Sequence, residues 1–346
     1  MAMSSYEVVR RAVEFGEPDR LPLRFGTLGL SDFHSVNWNQ IGTGDHAQRE
    51  TLDEWGCTWA RSEVANMGQV KGHPLADWAA FDRFRWPDPD DPAFYDGMAA
   101  RFAGADGKYI TTGIFMLLFE RMHALHGFEA TLRDLYAERE HLEQLADRIV
   151  EFDLGIIENI GRRFPGQIHG FGFTDDWGTE RAGFISAKQF DAFFKPRYRR
   201  LFDAMRRQGW HVWMHSCGKV DAYIDSLIEA GVTALNLQQP RVFGDLAAFG
   251  RRFAGRVCLE SLCDIQHTLP FASDDAIREE ARLLVEHWGT PAGGFVLSDY
   301  GDGQAIGVPI EKKQVMLDAF RAADRWSRGG FTAANTRPPD MTEARQ

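Results

Sequence analysis

Residues 209–237 read GWHVWMHSCGKVDAYIDSLIEAGVTALNL, and this stretch decides the fold class. His211–His215 is a short apolar run of Val, Trp and Met between two histidines, so it predicts a strand. Residues 220–230 carry helical spacing, Gly231 ends that helix, and Thr233–Leu237 predicts another strand. Strand, helix and strand with single-glycine punctuation make one parallel βαβ unit. The pattern repeats outward in both directions. Upstream, Tyr109–Phe115 predicts a strand and 116–126, 129–137 and 139–163 predict helices. Gln167–Phe173 predicts a strand and 187–207 a helix. Downstream, helices at 243–253, 274–288 and 310–327 alternate with strands at Arg256–Glu260 and Phe295–Ser298.

Near the N-terminus, a helix over 5–15 ends at Gly16 and Pro18, and Leu21–Phe25 predicts a strand. Residues 26–105 are irregular and predict short helices and a hairpin. About seven strands, with one more in that segment, suit an α/β fold of (β/α)8 TIM-barrel type with N-terminal decoration. A doubly wound open sheet would usually carry a glycine-rich phosphate loop after its first strand, and neither GxGxxG nor GxxxxGK[ST] occurs. One domain over 1–329 followed by a polar, disordered tail at 330–346 is the expected organisation.

The chain has 346 residues and a net charge of −11, which disfavours a duplex nucleic-acid binder and an anionic membrane surface. No apolar run approaches the ~18 residues of a transmembrane span. The N-terminal segment lacks the apolar core of a secretory signal and reads as an amphipathic helix. Four cysteines without disulfide spacing point to a cytoplasmic chain with free thiols.

In a parallel barrel the chemistry sits at the carboxyl ends of the strands. His215 and Cys217 fall at such an end and share a strand face, so they can ligate one Zn²⁺; a packed pair is the competing reading. Asp175 and Asp176 follow another strand and are candidate acid–base or substrate-orienting groups, against a turn cap for Asp176 and a solvated Asp175. Trp177 beside them offers a platform. A third set follows later strands: Asn236, Gln238, Gln239, Glu260, Asp264, Gln266, Asp299, Tyr300 and Asp302. Within it, Glu260 shares a face with Cys258 and looks into the barrel mouth. The histidines at 34, 46, 73, 123, 126, 141, 169, 211, 267 and 287 read as structural.

Several motifs occur in order: Gly16-Glu-Pro-Asp-Arg-Leu-Pro22, Asp53-Glu-Trp-Gly56, Asp175-Asp-Trp-Gly-Thr179, Phe194-Lys-Pro-Arg-Tyr198, His215-Ser-Cys-Gly218 and Gly231-Val-Thr-Ala-Leu-Asn236. Together, over roughly residues 5–325, they resemble the uroporphyrinogen decarboxylase superfamily, whose fold is a (β/α)8 barrel. The Arg-Gln-Ala-Gly-Arg-Tyr segment of the true decarboxylases is absent, although Arg24 remains as a candidate substrate-binding residue. The resemblance is closer to the corrinoid-dependent methyltransferase branch, which implies zinc held by His215 and Cys217 and a corrinoid as methyl carrier on a partner protein. That branch's later cysteine is missing near Leu297–Gly301, and a glutamate ligand of more distant relatives corresponds to Gln238. A carboxylate should therefore complete the metal set, with Asp299 favoured over Glu260. Gln238, Tyr300, Trp177 and Arg24 are then substrate-binding candidates, with methoxylated aromatics among the substrates considered. Two alternatives stand beside this reading: a decarboxylase or lyase acting on a carboxylated ring through Asp175 and Arg24, and a non-catalytic barrel that binds a corrinoid or tetrapyrrole. The assembly state is open, a homodimer included.

Overall fold

A computed structural model describes residues 2–40, 50–61, 68–301, 303 and 305–326. His46, Asp302 and the 330–346 segment lie outside them. The fold class is the expected one, α/β of barrel type with a nine-stranded, largely parallel sheet and flanking helices. The contacts divide the chain into two compact units.

One unit comprises Met1–His34, Gly104–Ile110 and Thr233–Gln346. It contains helix α1 (Ser5–Val13), β1 (Leu23–Phe25), β2 (Leu30–Ser31), β10 (Ala234–Leu237), α8 (Leu246–Phe253), β11 (Cys258–Ser261), α9 (Thr268–Phe271), α10 (Asp274–Trp288), β12 (Phe295–Ser298) and α11 (Ile310–Ala323). Strands β10, β11, β12 and β1 run parallel in that order, with Asn236 opposite Glu260 and Leu23 opposite Leu297. Every residue of β10, β11 and β12 is buried. Burial on both faces suits the apolar run of β12, while β10 and β11 also bury the polar Asn236, Glu260 and Ser261. Helix α10 starts where the Ser273 hydroxyl accepts the Ala276 N–H, and it buries Ile277, Ala281, Leu284, Val285 and Trp288 on one stripe.

At the N-terminal side of this unit, Asp32 is buried and holds three segments together. Its carboxylate accepts two bonds from Arg20, at 2.7 and 2.6 Å, one from the Leu23 N–H at 2.7 Å and one from the Ser5 hydroxyl at 2.6 Å.

The other unit comprises Ser35–Ala103 and Thr111–Val232. Its parallel strands are β7 (Tyr109–Ile114, of which Thr111 onward lies here), β8 (Gly170–Thr174) and β9 (His211–His215). β3 (Phe33–Ser35) falls at the boundary between the units and supplies the extra early strand. Gly113 and Gly172 are register partners, and a Cβ on Gly113 would stand 2.0 Å from the Gly172 carbonyl oxygen. The strands can approach this closely only because that side chain is missing. Helices α2 (Phe119–His126), α3 (Phe128–Ala137) and α4 (Arg139–Arg163) follow β7, and α7 (Ile224–Ala230) follows β9. The single helix expected over 187–207 is two, α5 (Ala187–Phe193) and α6 (Lys195–Arg207). Pro196 is the reason: it has no N–H to give and its ring crowds the preceding turn, so it is accommodated in the first turn of a new helix.

The irregular early segment holds short 3₁₀ turns, as expected in outline, together with an antiparallel three-stranded sheet in place of a hairpin. Its strands are β4 (Glu50–Leu52), β5 (Thr58–Ala60) and β6 (Gln69–Gly72). Asp53 is the hub of its first turn. It accepts from the Trp55 and Cys57 N–H groups, from the Trp59 indole at 3.0 Å, and from the buried Arg121 at 2.6 Å. Among the described residues, no helix is long and apolar enough to cross a membrane.

The Arg20–Asp32 pair is almost fully shielded from water. Removing one charge leaves the other buried and uncompensated, at a cost of about 3–5 kcal/mol. Asp32→Asn is therefore expected to lower the urea midpoint strongly with little change in slope, whereas Asp275→Asn, on an exposed helix face, should leave it within experimental error.

Candidate metal centre at the ends of two parallel strands

β8 and β9 are paired from Gly170 opposite His211 to Thr174 opposite His215. This register brings two loops side by side just beyond the strands, one running from Asp175 to Thr179 and the other from Ser216 to Lys219. A series of bonds ties them together. The Asp175 N–H donates to the His215 carbonyl at 3.0 Å, and the Lys219 N–H to the Thr179 carbonyl at 2.8 Å. Between them, the Trp177 N–H donates to the Ser216 hydroxyl at 3.1 Å and the Cys217 N–H to Asp176 Oδ1 at 2.7 Å. Gly218 has φ +81°, and a Cβ there would lie 2.2 Å from the Gly178 carbonyl oxygen. Glycine is required at this point both for the backbone conformation and for the contact.

The outcome is a compact group of three ligand-type side chains. Cys217 Sγ lies 3.4 Å from His215 Nε2, which lies 3.6 Å from Asp176 Oδ1, and all three ligand atoms fall within 4.8 Å of one another. All three residues are half-buried. Ligand bonds of about 2.0–2.3 Å around a tetrahedral zinc place neighbouring donors about 3.3–3.8 Å apart. The His215–Cys217 and His215–Asp176 separations fall in that range, and one imidazole, one thiolate and one carboxylate are a donor set that zinc accepts.

Asp299 and Glu260, the carboxylates expected to complete the set, belong to the other unit, and within its own unit the His215–Cys217 pair is joined by Asp176. Among the described residues, the one group of three close ligand atoms contains Asp176 in that place. Glu260 is buried and accepts from Arg24 at 3.1 and 3.4 Å. Asp299 accepts from the Thr27 N–H at 3.2 Å and from the Thr27 hydroxyl, within the 3₁₀ turn Gly26–Leu28. Both carboxylates have structural partners at the ends of β1, β11 and β12. Arg24 also lies over the Phe33 ring at 4.8 Å. Gln238 and Tyr300 are half-buried just after β10 and β12, and the Tyr300 carbonyl accepts from the buried Lys313.

Asp175 and Asp176 have opposite environments, and the capping and solvated roles considered for them are reversed. Asp176 turns outward to His215 and Cys217. Asp175 has no exposure at all. Its Oδ2 accepts from the N–H groups of Leu118 and Phe119, at 3.1 and 3.0 Å, and its Oδ1 from that of Glu120 at 2.7 Å. These are the N-cap and first-turn amides at the start of α2, which have no partner inside the helix. The Tyr198 hydroxyl donates to the same carboxylate. Burial pushes the Asp175 carboxyl up to about 6, against the opposing pull of Tyr198 and the three amides. Trp177 is likewise no open platform. It is fully buried, stacked on Phe119 with ring centroids 4.1 Å apart, and its indole N–H donates to Tyr198 Oη at 2.7 Å.

Some neighbours of the group were not legible as site residues. Glu120 is buried, and its Oε2 accepts from the Thr174 hydroxyl at 2.6 Å. Burial, then the charges of Asp176 and Asp175, push its carboxyl well above the usual carboxylate range. His123, read as structural, is half-buried one turn further along α2. Burial holds it down at about 4 against the opposing pull of Asp176, so it is uncharged at neutral pH. The only signal for Glu120 in the sequence is an acid in the first turn of a helix that follows a strand, which is commonplace.

Comparison with solved structures finds distant likenesses. A D-psicose 3-epimerase is 12% identical, with 67% of this chain and 83% of that chain covered and a TM-score of 0.36. The xylanase 10B of Thermotoga maritima is 9% identical, with 92% and 98% covered and a TM-score of 0.42. A 3-keto-D-glucoside 4-epimerase from E. coli is 10% identical, with 62% and 98% covered and a TM-score of 0.34. No curated protein matches the sequence. The model of the family described as uroporphyrinogen decarboxylase (URO-D) matches residues 109–323, which include both strand-end loops of the candidate centre. That match spans more than half of the chain, and the chain therefore belongs to the uroporphyrinogen decarboxylase family.

Proposed function

We propose that the protein is a zinc-dependent methyltransferase of this family, moving a methyl group between a corrinoid carried by a partner protein and a small substrate. The observation that carries the proposal is the Asp176–His215–Cys217 group, with its two ligand separations of 3.4 and 3.6 Å. The corrinoid and the methyl group come from the resemblance of the sequence motifs to the methyltransferase branch. His215 Nε2, Cys217 Sγ and an Asp176 oxygen would hold the metal and leave a fourth position for substrate. Bound there, zinc would supply Lewis acidity, easing loss of a proton from a thiol or hydroxyl, or stabilising the oxygen left behind by a methyl ether.

The chain's own residues do the rest. The Cys217 N–H fixes Asp176 Oδ1 at 2.7 Å, so the carboxylate is oriented before any ligand arrives. Asp175 acts as a positioning residue, anchoring the Asp176 loop to the α2 amides. Burial, then the charges of Asp176 and Asp175, raise the Glu120 carboxyl well above the usual carboxylate range, and His123, held down at about 4, is uncharged at neutral pH beside the ligand set. The decarboxylase alternative asks Arg24 to grip substrate carboxylates, but the Arg24 charge is already offset by Glu260 at 3.1 Å. That pairing weighs against the decarboxylase alternative, and methyl transfer is supported by the motif resemblance together with the ligand group.

Protein purified without chelator and given zinc is expected to hold about one equivalent of metal. His215→Ala, Cys217→Ser and Asp176→Asn should each weaken zinc binding at least tenfold, measured by competition with a chromogenic chelator, while thermal unfolding stays cooperative. Asp299→Asn should leave zinc affinity unchanged. Zinc bound with wild-type affinity by the His215/Cys217 double variant would sink the metal centre.

The second expectation concerns the reaction. Zinc-loaded protein mixed with cob(I)alamin and a panel of aryl methyl ethers and methyl thioethers should form methylcob(III)alamin, followed by its visible absorbance. Asp176→Asn should abolish that change. A zinc-loaded protein that methylates cobalamin from no member of the panel, and that accepts no methyl group from methylcob(III)alamin onto simple thiols, would overturn the methyltransferase reading and leave the metal centre standing.

A further inference from the structure

The motif Phe194-Lys-Pro-Arg-Tyr198 contributes a residue that no step above uses. Tyr198 lies in the first turn of α6, is fully buried, and stacks on Phe202 with ring centroids 5.4 Å apart. Its hydroxyl has one proton to give and lone pairs to receive. The Trp177 indole can only donate, and it reaches Tyr198 Oη at 2.7 Å. The phenolic proton is therefore directed to Asp175 Oδ2, an acceptor. One oxygen atom thus ties together the side chains of residues 175 and 177.

The consequence falls on the residue between them. Burial alternates from Phe171 to Trp177: Phe171, Phe173, Asp175 and Trp177 are buried, and Gly172, Thr174 and Asp176 are half-buried. The two-residue alternation of β8 is thus continued through the loop. With 175 and 177 tied inward, 176 faces the opposite way, where His215 and Cys217 are. We infer that Tyr198 is a positioning residue for the metal centre, its hydroxyl acting through Asp175 and Trp177 to hold Asp176 on the ligand side. The inference rests on the metal-centre reading and adds to it a residue that touches none of the three ligands.

The test is cobalt substitution. Co(II) in a four-coordinate site gives visible bands that report ligand set and geometry, so no substrate is needed. Tyr198→Phe removes one oxygen and retains the ring. It is expected to fold, with a cooperative thermal transition, to bind Co(II) about tenfold more weakly, and to show an altered visible spectrum, as loss of an outer-shell partner does at other metal sites. Adding Asp176→Asn to Tyr198→Phe should weaken binding less than Asp176→Asn does in the wild type, because both changes act on one carboxylate. Trp177→Phe breaks the same tie from its other end and is expected to shift affinity and spectrum in the same direction. It serves as the deciding variant if Tyr198→Phe does not fold. Wild-type affinity and spectrum in a folded Tyr198→Phe protein, or full additivity with Asp176→Asn, would overturn the positioning role while leaving the metal centre intact. Failure of the wild type to bind either Co(II) or Zn(II) is a different result and overturns the centre itself.

Discussion

A carboxylate with no exposure to water has to be surrounded by donors, and that requirement at Asp175 organises the candidate centre. Three amides of the α2 N-terminus and one phenolic hydroxyl meet it. Each of those donors would itself be costly to bury alone, so the arrangement is mutual. The α2 amides need an acceptor because a helix leaves its first turn unpaired. Asp175 needs donors because burial penalises its charge. Neither could be removed without stranding the other, and the loop that carries Asp176 inherits the resulting rigidity.

The same unit shows how parallel pairing turns sequence distance into a site. Asp176 lies 39 residues before His215, yet Thr174 stands opposite His215 in the ladder, and the two loops continue that register. Three further features let them close: the Gly178–Gly218 contact, the Ser216 hydroxyl under Trp177, and the Cys217 N–H on Asp176. Around them the polar groups are paired or uncharged. The aromatic cluster of Trp177, Phe119, Phe190 and Phe194 fills the space behind the loop, so the ligand side chains have a packed wall at their back.

In the other unit the polar strand ends are committed to one another. Arg24 is bonded to Glu260, Thr27 to Asp299, and Lys313 to the Tyr300 carbonyl and the Thr27 hydroxyl. Acids that follow a parallel strand look alike in a sequence whether they ligate, bind substrate or close a turn. The deciding quantity is which donor is nearest, and that is a property of packing.

The residues by themselves determined the alternation of strands and helices, because apolar periodicity of two or of 3.6 residues is a local property of the chain. Helices α4 and α10 fall where that periodicity puts them, β9 falls on its short apolar run, and Pro196 accounts for the break that the apolar pattern alone passes over. They also determined the His215–Cys217 half of the centre, since two side chains separated by one residue on a strand share a face whatever the rest of the chain does. The other half was decided by the tertiary structure. Asp175 and Asp176 are neighbours of one type, and nothing local says which one turns inward. The choice is made by the α2 amides and Tyr198, which lie 55 to 57 residues before Asp175 and 23 after it. Those donors stabilise a buried charge at the first position and leave the second to face His215 and Cys217, because a carboxylate ends up where its hydrogen bonds are, and only the folded chain brings them there.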